Sequence, residues 1–160
     1  MSDYSFIIDG VRFSYSSVST FETCPYAFKL TYIDVLPRLN NFFAEYGSFT
    51  HECLEKYFNG ELELFELSQY YMENYDAFVT SISPVGLEAR YKEQGQAFFD
   101  NFSVDRNDYE ILVIEDKIDF TVKDVLFVAK PDLVLRNKKT QKTGLYDYKT
   151  SVPFRKNKKT

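Results

Sequence analysis

Tryptophan is missing from this chain of 160 residues, histidine occurs once, and there are two cysteines. Cys24 and Cys53 share no Cys-x-x-Cys spacing, so a four-cysteine zinc or iron–sulfur centre cannot be built within one copy. Both lie in apolar, helix-prone surroundings and read as buried thiols rather than as a disulfide. The opening MSDYSFIIDG has neither the basic start nor the apolar core of a secretory signal. No apolar run approaches the roughly 20 residues of a membrane span. A cytoplasmic protein without a membrane partner is therefore expected. Repeats and low-complexity stretches are lacking too, apart from a lysine-rich end.

What remains is rich in aromatics. There are 16 Phe and 13 Tyr, and 44% of residues are hydrophobic, which predicts a packed globular protein rather than a disordered chain. A length of 160 suits one domain with its own core, so a single domain over 1–160 is expected. The net charge of −5 hides an asymmetry. From Arg136 onward there are nine Lys or Arg against one acid, Asp147, so the last 25 residues carry +8 and the first 135 carry −13. Read from charge alone this is a solvated basic tail; beside a phosphate-handling site it is a stretch that tracks a polyanion.

The chain changes period part-way. SFIIDGVRFSYS (5–16) reads as a small hairpin about Asp9-Gly10. In SVSTFETCPYAFKLTYID, Ser19 and Glu22 have capping-box spacing, and Pro25 suits the first turn of a second helical segment reaching about Ile33. NNFFAEYGSFTHECLEKYFNGE predicts a helix of about four turns closed by Asn59-Gly60, with Gly47, His51, Leu54 and Phe58 on one face. Two further helices are expected over 62–78 and 85–103. From 105 the pattern is β-rich. Runs 109–122 and 125–136 form a hairpin about Lys123-Asp124, and 144–152 adds a third strand. The fold class is α+β: a helical part (1–104), a three-stranded antiparallel meander (105–152) and a basic tail (153–160).

The chemistry concentrates in AKPDLVLRNKKTQKTGLYDYKT, residues 129–150. Asp147 and Lys149 stand two apart, hence on one face of an extended segment. Pro131 cannot donate to a ladder and predicts an edge or a bend just before Asp132. With Asp132 beside Asp147, two sheltered carboxylates repel unless a cation joins them, and Mg²⁺ or Mn²⁺ prefers such oxygen ligands. Lys149 then has a task, to hold water or to neutralise charge on a phosphate. His51, on an apolar helix face, is by itself an ordinary core residue.

Four pieces in order resemble the PD-(D/E)XK nuclease superfamily, in its RecB-like exonuclease branch. They are YSSVSTFETCPYAFKLTYID, YGSFTHECLEKYF, VAKPDLVL and GLYDYKTS, together spanning 15–151. The resemblance implies a restriction-endonuclease-like core with His51, Asp132 and Asp147 as metal ligands. It adds the main-chain carbonyl of Tyr148 as a fourth and makes Lys149 the catalytic lysine. Glu115 takes a supporting role, and Tyr15, Ser17 and Tyr26 line the strand path. The implied activity is Mg²⁺- or Mn²⁺-dependent hydrolysis of DNA phosphodiesters, exonuclease-like, with DNA as partner and no iron–sulfur cluster.

The sequence departs from the family in three places, one being that only Cys24 matches the four cysteines of its iron–sulfur branch. The hairpin acid follows AKP, and the family's helix and strand after the acid-x-lysine segment are missing from the 11 residues beyond Lys149. Hence a second expectation: a shortened, catalytically inactive module that binds DNA or a partner protein as a decoy or inhibitor. Self-association, or a partner chain completing the sheet, belongs to the same expectation. A phosphatase of small phosphate esters is a third.

Overall fold

The computed structural model describes residues 12–37 and 39–150. Most of the hairpin expected over 5–16, and all of the basic tail over 153–160, lie outside the described residues. The chain divides into two compact units, Met1–Leu39 with Asp116–Pro131, and Asn40–Glu115 with Asp132–Thr160.

In the first unit, α1 (Tyr15–Thr23) is capped by Ser14, whose hydroxyl accepts from the Ser17 amide while the Ser17 hydroxyl faces the Ser14 amide. The capping box therefore starts at Ser14, not at Ser19, because the reciprocal Ser14–Ser17 pair satisfies two amides that otherwise go unpaired. α2 (Pro25–Phe28) has Pro25 in its first turn, as expected, and runs on as a wider π turn over Lys29–Ile33. Cys24 caps α2 through its sulfur and is exposed. That corrects the expectation of two buried thiols: a capping sulfur sits at a helix end, away from the core. β2 (Ile118–Val122) and β3 (Val125–Ala129) form a hairpin whose turn residues Lys123 and Asp124 both have positive φ, 48° and 66°. Two left-handed residues match the twist of paired strands.

The second unit holds α3 (Phe42–Phe58), α4 (Leu67–Phe78), α5 (Glu88–Asp100), β1 (Tyr109–Ile114), β4 (Leu133–Asn137) and β5 (Thr143–Tyr146). Asn41 caps α3 by accepting from the Ala44 amide, and Gly60 follows its end with φ +81°. That glycine permits the left-handed turn which stops the helix. The strands form an antiparallel sheet in the order β1-β4-β5, the expected meander.

The core lies between α3, α4, α5 and one face of this sheet: Phe49, Cys53, Leu54, Tyr57, Leu67, Tyr71, Phe99, Leu133 and Leu135 are buried. Phe49 stacks on Tyr71 at 5.4 Å and on Phe78 at 4.7 Å. Helix α5 approaches α4 closely at Gly95, where a Cβ would collide with the Tyr71 hydroxyl. Burial pushes the Cys53 thiol up to about 12. Among the described residues no helix is long and apolar enough to cross a membrane.

Each of the two long β runs is broken once. β1 ends at Ile114 and β2 begins at Ile118; β3 ends at Ala129 and β4 begins at Leu133. Pro131 accounts for the second break, since it can neither donate nor continue the ladder. At the first break Glu115 adopts φ 50°, a left-handed conformation that costs a residue with a Cβ about 1 kcal/mol or more. Its amide still donates to the Asp132 carbonyl at 3.1 Å.

Candidate metal centre

The breaks leave Glu115 and Asp132 free of strand alternation, and both carboxylates turn toward α3. There His51, one turn before Leu54 and two before Phe58, is held by the burial of those residues. His51 Nδ1 lies 3.3 Å from Glu115 Oε1 and 3.6 Å from Asp132 Oδ1, and Nε2 lies 3.0 Å from the main-chain carbonyl oxygen of Tyr148. Asp132 Oδ2 accepts from the Tyr148 amide. One peptide segment thus addresses both the imidazole and the carboxylate.

Gly47 explains how that segment reaches the helix. A Cβ there would meet the Thr150 hydroxyl at 3.1 Å. The residue that approaches Gly47 closely is the chain's own Thr150, which lays 147–150 across α3 one turn before His51.

Ligand-type atoms of His51, Glu115 and Asp132 all lie within 4.8 Å of one another. Their side chains are only 25%, 18% and 12% exposed, so the two carboxylates repel in a partly desolvated place. Among the described residues the imidazole faces a carboxylate pair on one nitrogen and a carbonyl on the other. A cation among them would offset the repulsion between the two carboxylates. The cavity that these three share with Leu54, Glu55, Phe58 and Tyr148 has a volume of ≈ 10 Å³, room for about one water-sized body. Hard oxygen donors with one imidazole, around a space of that size, fit a divalent cation. Burial, then the Asp132 charge, push the Tyr148 phenol upward, so the ring stays neutral beside the cluster.

A family model of the PD-(D/E)XK nuclease superfamily matches residues 12–159. The chain belongs to that superfamily. No curated protein and no solved structure matches this chain significantly. PD-(D/E)XK nucleases use divalent metals and act on nucleic acids, and the His51–Glu115–Asp132 cluster is a possible metal site.

Against that background the expected site residues fall into two groups. His51, Asp132 and the Tyr148 carbonyl come together. Asp147 does not join them: register places it opposite Asp132, since Leu133 pairs with Tyr146, but the ladder ends there. Its carboxylate instead pairs with Lys149 Nζ at 2.6 Å. That pairing agrees with the expectation that the two share a face. Glu115 stands inside the cluster rather than beside it.

Glu55 was not foreseen from sequence; its spacing of four from His51 on one helix was the available signal. Ser17 is fully buried with its hydroxyl committed to the cap, so it cannot line a strand path, whereas Tyr15 and Tyr26 are exposed. Most of the described basic stretch is engaged with its own unit. Arg136 pairs with Glu110, Lys139 with Asp108, and Lys138 donates to the Asn107 carbonyl.

Proposed function

We propose that this chain is a Mg²⁺- or Mn²⁺-dependent deoxyribonuclease that hydrolyses DNA phosphodiester bonds in an exonuclease-like manner. One observation carries the reading: a helix histidine and two carboxylates from the broken strands converge on one ion-sized cavity. In this reading His51, Glu115 and Asp132 hold the cation, and the Tyr148 carbonyl, expected as a fourth ligand, instead faces the other imidazole nitrogen and orients the ring. Bound there, it supplies Lewis-acid polarisation of the phosphate and a more acidic water.

The rest of the work falls to the chain. Asp132 fixes the Tyr148 peptide through its amide, which aims the carbonyl. Lys149 places an ammonium beside the phosphate, where it holds water or offsets developing charge. Asp147 orients Lys149; for Asp147 to serve as a ligand, its carboxylate has to leave that ammonium.

The test measures thermal stabilisation by Mn²⁺ together with cleavage of single- and double-stranded DNA, and repeats both on Asp132→Ala and Lys149→Ala. Stabilisation lost in the first variant, with cleavage lost in both, supports the reading. Stabilisation that persists in Asp132→Ala removes it.

The Asp147–Lys149 ion pair favours a second reading, since it keeps the ammonium occupied. Here the chain is a non-cleaving module that binds DNA or a partner protein, as a decoy or inhibitor. Association indifferent to both substitutions, with no cleavage, would select it.

A further inference from the structure

A second and larger cavity adjoins the metal centre within the same unit. Its volume is ≈ 290 Å³, and its walls include Tyr46, Thr50 and Leu54 of α3, Phe98 of α5, and the segment carrying Asp147, Tyr148 and Lys149. Leu54 and Tyr148 line both cavities, so the two lie on either side of one wall. The larger one is near the lower limit of small-molecule sites, too small for a stretch of duplex and adequate for one small ligand.

Its chemistry is specific. Phe98 is 42% exposed, although it packs edge-on against Phe99 at 5.1 Å and lies 5.7 Å from Phe102. An aromatic ring left half open on a cavity wall is a stacking surface for a planar group. Lys149, paired with Asp147, brings an ammonium to the same wall, and Thr50 and Thr150 bring hydroxyls. Planar stacking, a cation and hydroxyl partners, set beside a phosphate-handling centre, match one chemical class: a nucleotide.

We propose that this cavity receives the sugar and base of the nucleotide whose phosphate lies at the His51–Glu115–Asp132 cluster, with the base stacked on Phe98. The inference rests on the nuclease reading and deepens it. A base seated there is out of its pair and out of its stack. The site therefore takes unpaired nucleotides, and Phe98 is a specificity-determining residue rather than a part of the metal centre.

The experiment titrates thymidine 5′-monophosphate and inorganic phosphate against the full chain in Mn²⁺, for the wild type, Phe98→Leu and Phe98→Trp. Leucine keeps an apolar contact with Phe99 and Phe102 but offers no ring; tryptophan restores the plane. Expected is tighter binding of the nucleotide than of phosphate, a margin reduced about tenfold in Phe98→Leu and regained in Phe98→Trp, with phosphate binding the same in all three. Cleavage of a single strand should show the same pattern in KM with kcat nearly constant.

Equal binding of nucleotide and phosphate by the wild type, in a preparation that still cleaves DNA, overturns the cavity and leaves the nuclease reading standing. A Phe98→Leu variant that keeps the full margin overturns it as well. Loss of Mn²⁺ stabilisation and of all cleavage in the wild type would instead overturn the nuclease reading, and the nucleotide assignment with it.

Discussion

The imidazole of His51 and the main-chain carbonyl of Tyr148 meet at 3.0 Å, although 97 positions separate them in the chain. The contact ties a helix to the segment after β5, and it exists because Gly47 lets that segment lie close and Asp132 holds its amide. Replacing Gly47 by valine should push 147–150 away from α3. We expect Mn²⁺ stabilisation to fall about tenfold in apparent affinity, the range seen when groups that orient ligands are removed. Mn²⁺-dependent melting checks this, and the circular dichroism of the variant should keep its helical content.

Ligand and lysine roles separate by measurement. His51→Ala and Glu115→Gln should each weaken Mn²⁺ binding and cleavage together. Lys149→Ala should leave Mn²⁺ binding intact and lower kcat by about a hundredfold or more, as removal of a single charge-stabilising donor does. Titration calorimetry beside steady-state cleavage reads both quantities.

Glu55 faces the same cavity from one turn beyond His51. Its substitution by glutamine should weaken Mn²⁺ binding less than Glu115→Gln does, because Glu55 stands outside the cluster of mutually close ligand atoms. Glu52→Gln is the control, since Glu52 lies toward Lys56 instead. Equal losses in Glu55→Gln and Glu52→Gln would assign the effect to helix charge alone.

The buried hydroxyls of Tyr71 and Tyr75 have no hydrogen-bond partner among the described residues. Tyr71→Phe should therefore be neutral or stabilising, by up to about 1–2 kcal/mol, since it removes a desolvated group that gains nothing. Gly95→Ala should destabilise by about 1–3 kcal/mol, because overpacking against Tyr71 outweighs the better helix propensity. The double variant should recover part of that loss, and urea unfolding measures all three.

Alkaline stability follows from the same burial. Desolvation raises the Tyr75 phenol from 10.0 to about 12 and moves Tyr71 and Tyr148 the same way. The folded chain keeps these protons longer than the unfolded chain does. The contribution of Tyr75 is therefore complete below pH 10 and is lost as pH rises from there through about 12, while the loss from Tyr71 and Tyr148 begins at the same point and extends to higher pH. Melting temperature scanned from pH 8 to pH 12 should fall over that interval, and less steeply in Tyr75→Phe.

Much of this was legible in the residues. Asn59-Gly60 closes α3, Pro131 marks the break before Asp132, and Asp-Tyr-Lys announces the acid-x-lysine segment. What escaped depends on tertiary context. Nothing local distinguishes Glu115-Asp116 from a strand that continues, and only the matching break before Asp132 makes a left-handed Glu115 useful. Likewise, Asp147 has two partners within reach of its backbone, Asp132's cluster and Lys149, and sequence spacing cannot choose between them. Cys24 looked buried because its neighbours are apolar; its capping role appears only once α2 has a fixed start.

The amide of Glu115 and the carbonyl of Asp132 close the mouth of the 116–131 excursion with one hydrogen bond. Whatever the polypeptide does between those two positions, it departs and returns at the same rung. Such a doorway ties the two carboxylates together at the base of the hairpin, so changes at its far turn, Lys123-Asp124, should leave both at their stations. Variation among such chains should accumulate there first, and a grafted segment at that point is the simplest way to give this scaffold a new preference.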